Sequence, residues 1–139
     1  STYLGMILAK TRENPQQILN HLQKIKLPQN LNKYDSFFIL VPSEFELIRE
    51  LFLTKFDELF GSQVSGRVFT VEQAKHAKTV VPSGKELFIS FGWKNTLFGK
   101  YRWDISLPKN AGYGALMALG YYIIGQIQKQ HPPYFKKNI

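Results

Sequence analysis

The run SFFILV, Ser36–Val41, followed at once by PSEFE, Pro42–Glu46, decides the fold. A continuous apolar run of strand length between Asp35 and Pro42 keeps no polar face for water, the pattern of a central strand covered on both sides. Ser43, with Glu46 three residues later, has the form of a capping box, in which each side chain satisfies an orphan amide of the first helical turn. The chain is therefore expected to pass directly from strand to helix. That helix sets Phe45, Ile48, Leu51, Phe52, Lys55, Phe56 and Leu59 along one side and Glu46, Arg49, Glu50, Asp57 and Glu58 elsewhere, and Gly61 stops it.

Upstream, Thr2–Ala9 (TYLGMILA) is a second apolar run of strand length and is expected to be a buried strand. Asn14-Pro15 opens a helix in which Ile18, Leu19, Leu22 and Ile25 recur at helical spacing to about Lys26, before Pro28 ends it. Downstream, a strand is expected around Gly66–Val71. Thr70 and Gln73 form another capping-box pattern, for a short helix through Lys78, and Val80-Val81 starts an extended piece before the turn at Pro82–Gly84. Glu86–Trp93 and Lys100–Leu107 read as two strands of an antiparallel hairpin around Lys94–Gly99. A helix from Asn110 to Gln130 follows, ended by His131 and two prolines, with residues 131–139 as a frayed tail.

The expected order is β-α-β-α-β-α-β-β-α, an α/β or α+β domain with a mixed sheet of about five strands packed with about four helices. At 139 residues and 44% hydrophobic content, residues 1–139 are long enough and apolar enough for a single domain with its own core.

Composition narrows the function. Without cysteine there is no disulfide framework, thiolate chemistry or thiolate metal site, and His21, His76 and His131 are too scattered to announce a metal centre. No metal and no cofactor are expected. Ala111–Ile127, the most apolar stretch, holds four glycines and no unbroken span of bilayer length, and no secretory signal opens the chain. The reading is a soluble, cytoplasmic protein.

The formal net charge is +8, and it is uneven. Residues 1–74 carry eight basic and eight acidic side chains, whereas residues 75–139 carry ten basic residues against Glu86 and Asp104. A one-sided field of this kind suits an anionic partner. The segment from Phe91 to Trp103 interleaves Trp93, Phe98, Tyr101 and Trp103 with Lys94, Lys100 and Arg102, a composition that serves single-stranded nucleic acid by stacking bases and holding phosphates. Strand alternation sends most of these aromatics to the core, since Leu87, Ile89, Phe91 and Trp93 share one face and Tyr101, Trp103, Ile105 and Leu107 another. Lys94, Phe98, Lys100 and Arg102 remain as outward candidates. Lys109 joins them, because Pro108–Gly114 is a glycine-bearing turn at a helix start, where free amides attract anions, although it matches no phosphate-loop or dinucleotide pattern.

The leading expectation is a non-catalytic nucleic-acid-binding module, with Lys94, Phe98, Lys100, Arg102 and Lys109 as binding residues and a single strand as the favoured form. An alternative is a structural or adaptor subunit, partnered by another protein or by its own copies. It would dock through the hairpin or the Gly/Ala/Tyr-rich C-terminal helix, with Tyr113, Tyr121 and Tyr122 as anchors. A second alternative is a small phosphate-ester hydrolase in which Asp35, Glu86 and Asp104 converge near Lys85 or Lys100. No serine lies in a nucleophile-elbow pattern, and catalysis is the reading with least in the sequence to carry it.

Overall fold

In the computed structural model, which describes residues 2–61, 64–76 and 85–131, a parallel sheet is built on the stretch that the sequence singles out. β1 (Ser36–Val41) pairs on one side with β2 (Ser65–Thr70) and on the other with β3 (Glu86–Phe91), and β3 carries β4 (Tyr101–Ile105) at the edge. The order is β2-β1-β3-β4 and every pair is parallel. With a neighbour on both sides, β1 buries all but Ser36, and β3 is buried throughout.

Alternation then divides the core in two. Phe37, Ile39, Val41, Leu87, Ile89 and Phe91 face the helices α2 (Pro15–Gln23), α3 (Ile48–Phe60) and α5 (Tyr113–Gln130), with α1 (Thr2–Thr11) docked on α5. Phe38, Leu40 and Phe88 face the opposite side, covered by the short α4 (Val71–His76) and by Trp93 and Phe98 from the connection between β3 and β4. α3 and α5 approach so closely that a Cβ at Gly120 would meet the Phe52 ring at 2.0 Å. α5 buries Leu116, Leu119, Ile123, Ile124 and Ile127, so the apolar stretch that carries the chain's glycine-rich helix is core. At its C-terminal end the two ring nitrogens of buried His131 each lie 2.7 Å from a carbonyl, that of Ile127 and that of Tyr34, tying the helix end to the chain leading into β1.

The local signals have mixed outcomes. Asn14 accepts from the amides of Gln16 and Gln17, Pro15 opens α2, and Gly61 closes α3 with a positive φ. Thr70 and Gln73 form the reciprocal capping box in full: the Gln73 amide donates to Thr70 Oγ1 at 3.1 Å and the Thr70 amide to Gln73 Oε1 at 3.0 Å. The box expected at Ser43 and Glu46 does not form. Ser43–Phe45 makes one 3-10 turn, the helix begins at Ile48, and Glu46 accepts instead from Gln73.

Three expectations are corrected. Thr2–Ala9 is helix rather than strand: Leu4 and Ile7 share a helical face that packs on the core beside α5, outside the sheet. The sheet accordingly has four strands among the described residues instead of five, and it is wholly parallel rather than mixed. The pair Glu86–Phe91 and Tyr101–Ile105 is also not an antiparallel hairpin, since Leu87 stands opposite Tyr101 and Phe91 opposite Ile105 in parallel register. The connection, residues 92–100, crosses the sheet face instead of reversing at its edge. It can lie flat because Gly92 and Gly99 take positive φ and Gly99 offers no side chain where a Cβ would strike the Phe88 ring at 2.1 Å. Val80–Gly84 and residues 132–139 lie outside the described residues.

Candidate nucleic-acid interface

Open parallel sheets commonly bind ligands beyond the C-terminal ends of their strands, where the strand order reverses. Here that point lies between β1 and β3, and the chain fills it itself: a Cβ on Gly92 would meet the Leu107 side chain at 2.6 Å, with Pro42 close behind. The open space lies further out, around the last residues of β4. On one side His21, Lys24, Ile25 and Lys26 face Trp103–Ser106 across a cleft of about 320 Å³. On the other side Gly92, Trp93 and Lys94 face Asp104–Leu107 across a second, of about 500 Å³.

The connection between β3 and β4 is held by a compact polar knot. Buried Asn95 receives the amides of Leu97 and Phe98 on Oδ1 and donates from Nδ2 to the Phe98 carbonyl at 2.8 Å. Its own amide donates to Asp104 Oδ1, and the Ser90 hydroxyl stands 2.6 Å from that oxygen and 2.7 Å from the Trp93 carbonyl, able to donate to one at a time. Arg102 donates from Nε to the Gly99 carbonyl and from Nη1 to the Asn95 carbonyl. The five residues singled out in the sequence therefore separate. Lys94 is exposed on the wall of the second cleft and Lys100 is exposed with its ammonium 5.5 Å from the Tyr101 ring centre. Phe98 is half-buried against Trp93 and the sheet, and the Arg102 guanidinium pins the loop. Lys109 lines a third cleft, with Arg12 and Glu13.

The start of α5 already holds an anion of the chain's own. Glu13 accepts from the amides of Gly112 and Gly114 at 2.7 Å and of Ala115 at 2.9 Å, and from the Thr11 hydroxyl at 2.6 Å. Burial works against its ionised form and is the largest single influence; the Thr11 hydroxyl and the three amides together outweigh it and hold the carboxyl below its usual range.

Sequence reasoning missed the cations that the fold brings from the first half. Lys24 and Lys26 flank the C-terminal end of β4 beside His21, and Lys33 stands 5.0 Å from the Tyr34 ring centre and 5.3 Å from that of Tyr101 at its N-terminal end. The signal was present: residues 14–34 contain His21, Lys24, Lys26 and Lys33 and no acidic residue, a local excess concealed when charge is summed over residues 1–74.

The carboxylates suggested for a hydrolase stand apart. Glu86 lies at the start of β3, where both its oxygens are 2.9 Å from Arg67 Nη2 and one accepts from Ser36, whereas Asp104 is at the far end of β4, so the suggested carboxylates do not converge. Among the described residues no three acidic or histidine side chains cluster as a metal site. His21 Nε2 lies 2.6 Å from the Ser106 carbonyl, which only a donor can satisfy, so this nitrogen is not a base for the Ser106 hydroxyl. No helix of the described residues is long and apolar enough to cross a membrane.

No protein-family model, curated protein or solved structure matches the chain.

Proposed function

We propose that this domain is a non-catalytic nucleic-acid-binding module whose contact surface surrounds β4. One observation carries the reading: the lysines of two separate stretches, Lys24, Lys26 and Lys33 from the first half and Lys94 and Lys100 from the second, stand about one edge strand beside Tyr101 and Trp103. Lysines offer point charges to phosphates, and half-buried aromatics offer faces to bases. Arg102 and Phe98 support the surface by fixing the loop that carries Lys94, while Lys109 contributes from beyond it.

Fluorescence anisotropy with labelled oligonucleotides at two salt concentrations tests the proposal. Binding should weaken steeply between about 50 and 200 mM salt, because each neutralised phosphate releases counterions. An absence of binding at the lower salt, or binding indifferent to salt, would overturn it.

A second reading has its own observation. A groove of about 720 Å³ between α1 and the start of α3 is lined by Ile7, Leu47, Leu51 and Tyr113, and Leu47 is 78% exposed. Such a surface suits the adaptor role. Light scattering and pull-down of the isolated chain test it: a strict monomer that retains no partner argues against it.

A further inference from the structure

We infer that a single strand of nucleic acid lies along the outer edge of β4, its phosphates held by Lys33 at one end and by Lys24 and Lys26 at the other, with Tyr101 and Trp103 receiving bases between them. This rests on the nucleic-acid reading above and deepens it by naming the path, the form of the ligand and residues outside the basic half.

Three features carry it. First, the segment leaving α2 returns beside β4: Lys24–Lys26 face Trp103–Ser106, and Lys33 reaches Tyr101, so the two groups of cations mark opposite ends of one strand. At about 3.3 Å per residue the run from Tyr101 to Ile105 is about 13 Å long, close to four stacked nucleotides at about 3.4 Å each. Second, Tyr101 and Trp103 are half-buried on the helix side of the sheet, the side from which Lys33, Lys24 and Lys26 approach, and alternate with Arg102 and Asp104, which hold the connection on the opposite face. A duplex keeps its base faces inside its own stack, whereas an unpaired strand can offer them. Third, among the described residues the ammonium groups of Lys24 and Lys26 have no hydrogen-bond or ion-pair partner, in contrast to the guanidinium groups of Arg67, Arg49 and Arg102, which are committed to the fold.

The surface fits an acidic peptide less well. His21 already occupies the Ser106 carbonyl, which shortens the edge along which a peptide strand could be added.

The test uses the full chain, a labelled 15-nucleotide oligo-dT, the matched duplex and polyglutamate as competitor. Lys24→Gln with Lys26→Gln should lower oligo-dT affinity roughly 20- to 30-fold at 0.1 M salt and make the slope of log K against log salt shallower by about 1.4. Lys10→Gln with Lys55→Gln, the same charge change on α1 and α3, should leave both nearly unchanged. Trp103→Leu, checked for folding by circular dichroism, should cost at least about fivefold on the single strand. If wild type binds but the two lysine pairs behave alike, the path is wrong while the nucleic-acid reading stands. Equal affinity for duplex, or displacement by polyglutamate at equal charge, overturns the single-strand assignment. If wild type binds none of the oligonucleotides, both readings fail.

Discussion

At the scale of single residues, Glu13 shows how a side chain remote in sequence completes a helix. The free amides of a helix start attract an anion. α5 has no side-chain cap from Gly112, and Glu13, about a hundred positions earlier, supplies one. Glu13→Ala should cost about 0.5–2 kcal/mol in chemical denaturation, with Glu13→Gln between it and wild type. Because the folded-state pKa is depressed, the stabilisation is complete above the ordinary carboxylate range and is lost as pH falls through the lowered value. The gap between wild type and Glu13→Gln should therefore be flat near neutrality and close only in acid; a gap that closes above the ordinary carboxylate range would contradict this. His131 makes a comparable tie at the other end of α5. Its replacement by Phe removes the ring N–H that one of the Ile127 and Tyr34 carbonyls accepts from, and the cost of leaving a buried acceptor unsatisfied, about 1–3 kcal/mol, should appear as a lower denaturation midpoint.

At the scale of elements, the capping box before α4 is the clearest case of a sequence signal that the fold honours, and Thr70→Ala should remove about 1 kcal/mol of stability. In the outwardly similar Ser43–Glu46 pattern, Ser43 enters a 3-10 turn instead and Glu46 accepts from Gln73, an interaction between separate elements that no local spacing contains. The same distinction accounts for the larger differences. An apolar run such as Thr2–Ala9 fits strand or helix by content alone, and what decides it is a place on α5 rather than a place in the sheet. The two strands around residues 92–100 are legible, but not their direction, because a parallel connection is ordinarily longer and helical. Here it depends on Gly99 passing over Phe88, a contact made only once both strands are in place. Where α5 crosses α3, Gly120→Ala should cost about 1–3 kcal/mol through overpacking against Phe52, read as a fall in melting temperature.

At the scale of the whole molecule, the one-sided charge of the sequence acquires a position. The excess of residues 75–139 remains, but the fold adds Lys24, Lys26 and Lys33 from the nominally neutral half and commits Arg102 to the loop. Of the residues visible in sequence as binding candidates, Lys94 and Lys100 stand on this surface. Phe98 and Arg102 are instead committed to the loop and Lys109 lines another cleft, because exposure and commitment are properties of the packed chain. The central claim is that single-stranded nucleic acid lies on the β4 edge. Its most direct measurement is a nitrogen-15 NMR titration of the full chain with oligo-dT. The account predicts saturable, salt-sensitive shifts centred on residues 21–26, Lys33, Lys94 and residues 100–106, with the α1 and α3 surfaces unmoved. Shifts centred instead on α1 and the start of α3, or none at low salt, would contradict it.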